Sequence, residues 1–327
     1  MGQAATMAVD EINQQGGLLG SPIELIFIDN KSTSLGSKHA AMEAVQRQVT
    51  GVIGASWSSH SLAMAPVLQK AKIPMITPVS TNPKVTEIGD YIFRVCFTDE
   101  LQAKTMARFA RKDLNAATAV VLHNINEQYS ITLGDFFTHW FIKDGGTVLF
   151  QGNYTAKSVD FTEMLTKVKE LAPDVVFIPG YSRDCALVVR QAVEMGITTT
   201  FLGGDDWDTK SFLSKGGKKL KKGYYCTHWS PASQSPVSLA FVDKLKKKKK
   251  LTSAFALSHD AVFLLANAMI RAGSMDRKKI RDAIQETSTF EGITGKIVFD
   301  KNRNPVKNAV INEINNGKIR YFETIFP

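Results

Sequence analysis

Two stretches of this chain combine residue types suited to gripping a small anion. Residues 52–61 read Val-Ile-Gly-Ala-Ser-Trp-Ser-Ser-His-Ser, and residues 73–83 read Ile-Pro-Met-Ile-Thr-Pro-Val-Ser-Thr-Asn-Pro. Each reads as a short apolar strand that runs into a hydroxyl-rich loop and then a helix. Where a parallel strand meets a helix start, backbone N–H groups and hydroxyls converge on one spot. Two such loops side by side make a cradle for a carboxylate, built from Ser58 and the Val79, Ser80, Thr81 loop. The pattern points to binding rather than catalysis.

A matching set follows further along. Gly203-Gly204-Asp205-Asp206-Trp207-Asp208 places acids directly after a strand, where Asp205 can hold an ammonium group. Tyr129 and Tyr181 sit at strand-to-helix joints, and a tyrosine offers an apolar face with one polar tip. Each has a plainer reading: Asp205 as a helix cap, the tyrosines as half-buried packing. Together they gather at the carboxyl ends of parallel strands, where ligands of such sheets bind.

Catalytic constellations find no support. Ser58, Ser59 and His60 are adjacent on a helix start and point in different directions, and no G-x-S-x-G elbow is present. A hydroxyl cluster capping that helix is the expectation instead. The six histidines have no metal-ligand spacing, and neither a P-loop nor a strand-following G-x-G-x-x-G occurs. No catalytic residue, metal or cofactor is expected.

Helix and strand patterns alternate along the chain, the rhythm of a parallel sheet covered on both faces. Helices are expected over 2–15, 34–49 and 59–71, with strands over 23–29, 51–54 and 74–77. A second series has helices over 99–113, 129–143, 159–171 and 183–195, and strands over 117–123, 147–154, 174–179 and 200–203. Helices return over 258–272 and 276–287. A turn and strand over 290–300 precede a terminal strand pair, 308–315 and 318–325, joined at Asn316-Gly317, a strong hairpin signal.

The 327 residues suffice for two domains, and 44% hydrophobic with 22% charged residues is globular composition. No apolar run reads as a transmembrane helix. The net charge of +9 is local: five lysines fall in 215–222 and six in 244–250, and without these eleven the balance is −2. No aromatic residues interleave with the lysine runs, so no nucleic-acid partner is expected and solvated surface is the reading. Cys96, Cys185 and Cys226 are far apart and read as buried thiols.

Taken together, the residues 2–13 (GQAATMAVDEIN), 51–61 (GVIGASWSSHS), 73–82 (IPMITPVSTN), Phe93-Arg94-Val95, 203–208 (GGDDWD) and 290–300 (FEGITGKIVFD) resemble the type I periplasmic solute-binding proteins of the leucine/isoleucine/valine-binding family, over essentially the whole chain. The resemblance implies an α/β protein of two doubly wound parallel-sheet lobes joined by a three-stranded hinge. Lobe one would be 1–97 plus 230–302 and lobe two 98–229 plus 303–327, with crossings near 96–99, 227–231 and 300–305. It implies an amino acid held between the lobes, branched-chain or otherwise apolar. Its carboxylate would meet Ser58 (Ser59 being the neighbouring option), the backbone of Val79, and Thr81. Its ammonium would meet Asp205, with Tyr129 and Tyr181 closing over it. Trp57 would shape the side-chain pocket, and Trp57, Tyr129 and Trp207 would also suit an aromatic ligand.

The implied partner is the membrane permease of an ABC importer. The implied setting is periplasmic or extracytoplasmic, with a lipid anchor as one option, and the implied state is monomeric. Departures are visible too. The family opens with a strand and loop ahead of this first helix, and the chain starts inside an element, as if a leader and first strand preceded it. The family's frequent lobe-one disulfide has no cysteines to form it. A ligand-sensing ectodomain or regulator of the same fold is the alternative output, and an α/β enzyme the remaining one.

Overall fold

A computed structural model describes residues 1–245 and 251–326. The chain divides into two compact units: Met1–Thr98 with Ser233–Lys307, and Asp99–Ala232 with Asn308–Pro327. It therefore crosses between them at 98–99, 232–233 and 307–308. The third crossing comes later than 300–305, because Val306 N–H donates to Val298 O at 2.9 Å and Phe299 bridges Pro305, which folds this segment back onto the first unit.

The first unit opens with α1 (Gly2–Gln14), α2 (Ser34–Gln46), β1 (Val52–Ile53), α3 (Ser58–Lys70), β2 (Met75–Thr77), α4 (Lys84–Glu87) and β3 (Ile92–Arg94). The strands form a parallel sheet in the order β1-β2-β3, with Val52 opposite Met75 and Met75 opposite Ile92. Apolar spacing puts Ala5, Ala8, Val9 and Ile12 of α1 on one core, while Ala41 and Ala44 of α2 join Ala65 and Leu68 of α3 in another.

The expected strand over 23–29 does not form. Those residues pair with no other strand among the described residues, and a strand exists only where another backbone edge meets it. A cavity of about 840 Å³ runs alongside, lined by Glu24 and Ile26, by Gly51 and Ile53, and by Val9 and Leu265.

The second unit begins with α5 (Asp99–Lys112), β4 (Thr118–Asn124), α6 (Gln128–Lys143), β5 (Thr147–Tyr154), α7 (Thr162–Leu171), β6 (Val175–Ile178), α8 (Ser182–Glu194), β7 (Thr200–Gly203), α9 (Lys210–Lys215) and β8 (Lys222–Thr227). The chain then returns to the first unit as α10 (Pro236–Leu245), α11 (Ser253–Ala272), α12 (Arg277–Gln285) and the hairpin β9 (Phe290–Gly292) with β10 (Gly295–Ile297). It ends in the second unit as β11 (Ala309–Asn315) and β12 (Lys318–Ile325).

The second unit's sheet has the order β12-β11-β8-β7-β6-β4-β5, parallel from β8 to β5 and antiparallel where β11 meets β8 and β12. Asn316 and Gly317 both take positive φ, 47° and 72°, in the two-residue turn between β11 and β12. Fully buried Val120, Leu122, Val176 and Ile178 pack on α7 and α8, and Phe177 stacks on Phe137 of α6 at 4.1 Å between centroids. This unit is thus a sheet covered on both faces.

α11 corrects the expectation that no segment is apolar enough to span a membrane. Its 20 residues pass that test by length and composition, yet most are buried in the first unit's core, as for Leu257, Ala261 and Leu264. Of the lysines at 215–222, Lys215 ends α9, Lys218 and Lys219 lie in the 3-10 turn Gly217–Lys219, Lys222 starts β8 and Lys221 just precedes it. Lys244 lies near the end of α10, and Lys246 to Lys250 lie outside the described residues. All three cysteines are buried thiols outside any disulfide.

Candidate functional site

In the first unit the two hydroxyl-rich loops meet. Ser58 opens α3 and its Oγ accepts from Asn82 N–H at 3.3 Å, which ties the start of α3 to the loop after β2. Its own hydroxyl proton stays available to donate. The expected side-chain cap is absent: Trp57 occupies the cap position of α3, and its indole offers no acceptor. The serines bind elsewhere. Ser61 Oγ accepts from Ala55 N–H at 3.1 Å and lies 2.7 Å from Ser80 Oγ.

Ser80 spends its two donors tying the two loops together. Its hydroxyl lies 3.1 Å from Ala55 O and 3.2 Å from Ser56 O, and its N–H donates to Thr77 Oγ1 at 3.1 Å. Fully buried Arg94 locks the same loop from below. Its Nη1 donates to Ser80 O at 2.8 Å and its Nη2 to Asn82 O at 2.7 Å. Thr81 is buried beside them, and Val79 is partly buried. The result is a rigid shelf of backbone at the start of α3, with Ser58 on it. Trp57, 37% exposed, leans on His60 with ring centroids 5.0 Å apart. Burial pulls the His60 pKa down, so the ring beside the shelf is neutral.

In the second unit Asp205 starts a 3-10 turn just after β7. Its Oδ1 accepts from the Tyr129 hydroxyl at 2.7 Å and from Gln102 Nε2 at 3.1 Å, and its Oδ2 meets His228 Nε2 at 3.1 Å. Gln102 also accepts Asp205 N–H at 2.6 Å, so one amide holds both ends of the residue. Burial pushes the Asp205 pKa up, but the hydrogen bonds and charge of His228 and the hydrogen bonds of Tyr129 and Gln102 outweigh it, and the carboxyl titrates below its ordinary range. It is therefore an ionised acid in a buried setting.

Tyr129 stacks on Tyr181 at 5.2 Å and 26° between planes. Glycine is required beside it: a Cβ on Gly204 would stand 2.4 Å from the Tyr129 hydroxyl and 2.8 Å from Gln102 Oε1. The neighbouring Asp206 accepts from Ser182 N–H. Burial and the adjacent Asp205 charge push its carboxyl up to about 7.

Within the first unit, then, Ser58, Ser80 and Thr81 come together, with Val79 in the same loop and Trp57 at its rim. Within the second, Asp205, Tyr129 and Tyr181 do. Trp207 does not join them. It is fully buried and stacked on Phe212 at 4.2 Å, so it is core rather than ligand surface. Gln102 and His228 were not singled out from the sequence. They come from α5 and the end of β8, and no local pattern marks either as a partner of Asp205.

This arrangement defines a class. The model of the periplasmic binding protein family matches residues 1–318, and the chain belongs to that family. It is 28% identical over 298 residues to the Leu/Ile/Val-binding protein BraC3 of Rhizobium johnstonii, an alignment covering 90% of this chain and 81% of that one. The crystal structure of the leucine-binding protein LivK from Thermotoga maritima superposes with a TM-score of 0.94 at 35% identity, covering 99% of this chain and 93% of that one. LivJ of Streptococcus pneumoniae, a branched-chain amino-acid transporter substrate-binding protein solved with isoleucine, gives 0.93 at 31% identity with the same coverage. The type I periplasmic binding protein fold follows from these likenesses.

Proposed function

We propose that the protein captures a small apolar amino acid, branched-chain by preference, and hands it to the permease of an ABC importer outside the cytoplasm. It does so by binding alone, without turnover. The observation that carries this reading is the ionised Asp205 carboxylate, held by three side chains in a family whose relatives are branched-chain amino-acid binders.

The first unit supplies the carboxylate site. Ser58 Oγ donates its free proton, and the Val79 backbone, Thr81 and the N–H groups of the first turn of α3 add donors. Ser80 contributes by tying the loop rather than by touching ligand. Trp57 borders the side chain. The second unit supplies Asp205 for the ammonium, with Tyr129 and Tyr181 over it. Among the described residues Oδ2 accepts from His228, and its second lone pair suits an ammonium proton. Ligand docks on the first unit, and the bound state with both sets of contacts is selected because only it satisfies both charges.

Calorimetry with leucine, isoleucine and valine tests this. Asp205→Ala leaves a buried ammonium unpaired, at a cost of about 2–5 kcal/mol, or roughly 30-fold to several thousand-fold in affinity. Unchanged affinity in that variant, or no response of the wild type to any amino acid, would overturn the reading.

A further inference from the structure

Lys307 is the last residue of the first unit before the third crossing, and it is only 2% exposed. Its ammonium donates to Val95 O at 3.1 Å, three residues ahead of the first crossing, and to Thr294 Oγ1. The Thr294 hydroxyl donates to Asp260 Oδ2 at 2.6 Å, and Asp260 also accepts from Ile293 N–H at 2.8 Å and Thr294 N–H at 2.9 Å. Asp260 sits on α11, in the core of the first unit. One buried cation thus ties chain beside the first crossing to chain beside the third, and through Thr294 it reaches α11.

The same cation is two steps from the shelf. Val95 N–H donates to Thr77 O at 3.1 Å, and Cys96 Sγ lies 3.3 Å from Ser80 O. Val95 also continues directly from Arg94, whose guanidinium holds the carbonyls of Ser80 and Asn82.

We propose that Lys307 is a positioning residue for ligand capture: its ammonium pins the Val95–Cys96 exit to the Lys307–Asn308 exit and so holds the Val79–Asn82 loop in its binding geometry. Only the affinity arm of the test rests on the amino-acid reading above; the loop arm does not. The titratable groups facing the ammonium are Asp260 from α11 and the Cys96 thiol from the segment after β3. Burial overcomes their pull and brings the Lys307 pKa down to about 8. Above that pH the amine has no charge and one proton fewer, so its hold on the Val95 carbonyl weakens.

Stability moves the other way. A lysine whose folded pKa lies below its ordinary 10.5 leaves the unfolded chain binding more protons between about 8 and 10.5, so wild-type stability gains from this group as pH rises there. A role confined to stability would move only the melting point.

The test is hydrogen exchange of the ligand-free protein with calorimetry on leucine at pH 7 and 9.5. Lys307→Met is expected to speed exchange of the 79–82 and 95–97 amides about tenfold while the rest of the first unit stays protected. Lys307→Arg, charged at both pH values, keeps the loop ordered. Leucine affinity should fall at least about threefold further from pH 7 to 9.5 in the wild type than in Lys307→Arg, which shares only the titration of the ligand's own ammonium. Wild-type exchange in the 79–82 loop of Lys307→Met overturns the proposal. So do identical pH profiles for wild type and Lys307→Arg, a comparison that stands even if Lys307→Met fails to fold. Faster loop exchange in Lys307→Met, with no leucine bound by the wild type, supports the positioning role and sinks the ligand reading alone.

Discussion

The Tyr129 hydroxyl donates to Asp205 Oδ1 over 2.7 Å from a ring stacked on Tyr181. The bond crosses from α6 to the turn after β7, and it helps keep the acid ionised in a buried setting. Tyr129→Phe keeps the ring stack and removes only the hydroxyl. A hydrogen bond to a charged group is worth about 1.5–3 kcal/mol to the fold, so the melting temperature should fall, and leucine affinity should fall with it as the acid loses its alignment. Calorimetry beside a thermal melt checks both halves; a lower melting temperature with wild-type affinity would make Tyr129 merely structural.

Gly204 gives a sharper version of the same argument. Its missing Cβ is the space that the Tyr129 hydroxyl and Gln102 Oε1 occupy. Gly204→Ala must displace both, and its Cβ would also stand 2.9 Å from Leu133 Cδ2. Leucine binding should fall by at least the Tyr129→Phe factor. Wild-type affinity in Gly204→Ala would show that the contact relaxes without cost.

Asp206 makes a pH prediction. Its carboxyl titrates at about 7, above its ordinary 3.8, so the unfolded chain sheds this proton first. Its contribution to stability is complete below about 4 and is lost as pH rises through about 7. Asp206→Asn never ionises, so it should melt at a higher temperature than the wild type at pH 8 and close to it at pH 4. Parallel melting curves across that range would refute the shifted titration.

Much of this was legible from the residues alone, and the parts that were not have identifiable causes. The βα rhythm could be read because apolar spacing is a local property, and both Asp205 and Ser58 lie where a strand hands over to the next turn or helix. The 23–29 stretch has the composition of a strand but pairs with no other backbone, and composition cannot show whether a partner edge is in place. Gln102 and His228 reach Asp205 from 103 and 23 residues away in the chain, so only the folded sheet brings them together. Trp207 misled because an aromatic beside an acidic cluster looks like ligand surface. Its ring instead fills the space above Gly203, where a Cβ would stand 2.1 Å from it. Arg94 was visible only as part of a motif. Its burial could not be read, since lone arginines are mostly exposed.

That burial sets up a final prediction. Arg94 is fully buried and its two terminal nitrogens reach the carbonyls of Ser80 and Asn82, while Nη2 also lies 3.3 Å from Thr86 Oγ1. Lysine carries the same charge but one donor group at the end of a flexible stem, so it cannot bridge two carbonyls that a planar fork spans. Arg94→Lys should therefore leave one of them unsatisfied and the loop untied, at a cost of about 1–3 kcal/mol in urea unfolding. Leucine affinity should fall with it, because the Val79–Thr81 backbone loses its support. If Arg94→Lys unfolds at the wild-type urea midpoint and binds with wild-type affinity, the shelf is held by the serine network around Ala55 alone.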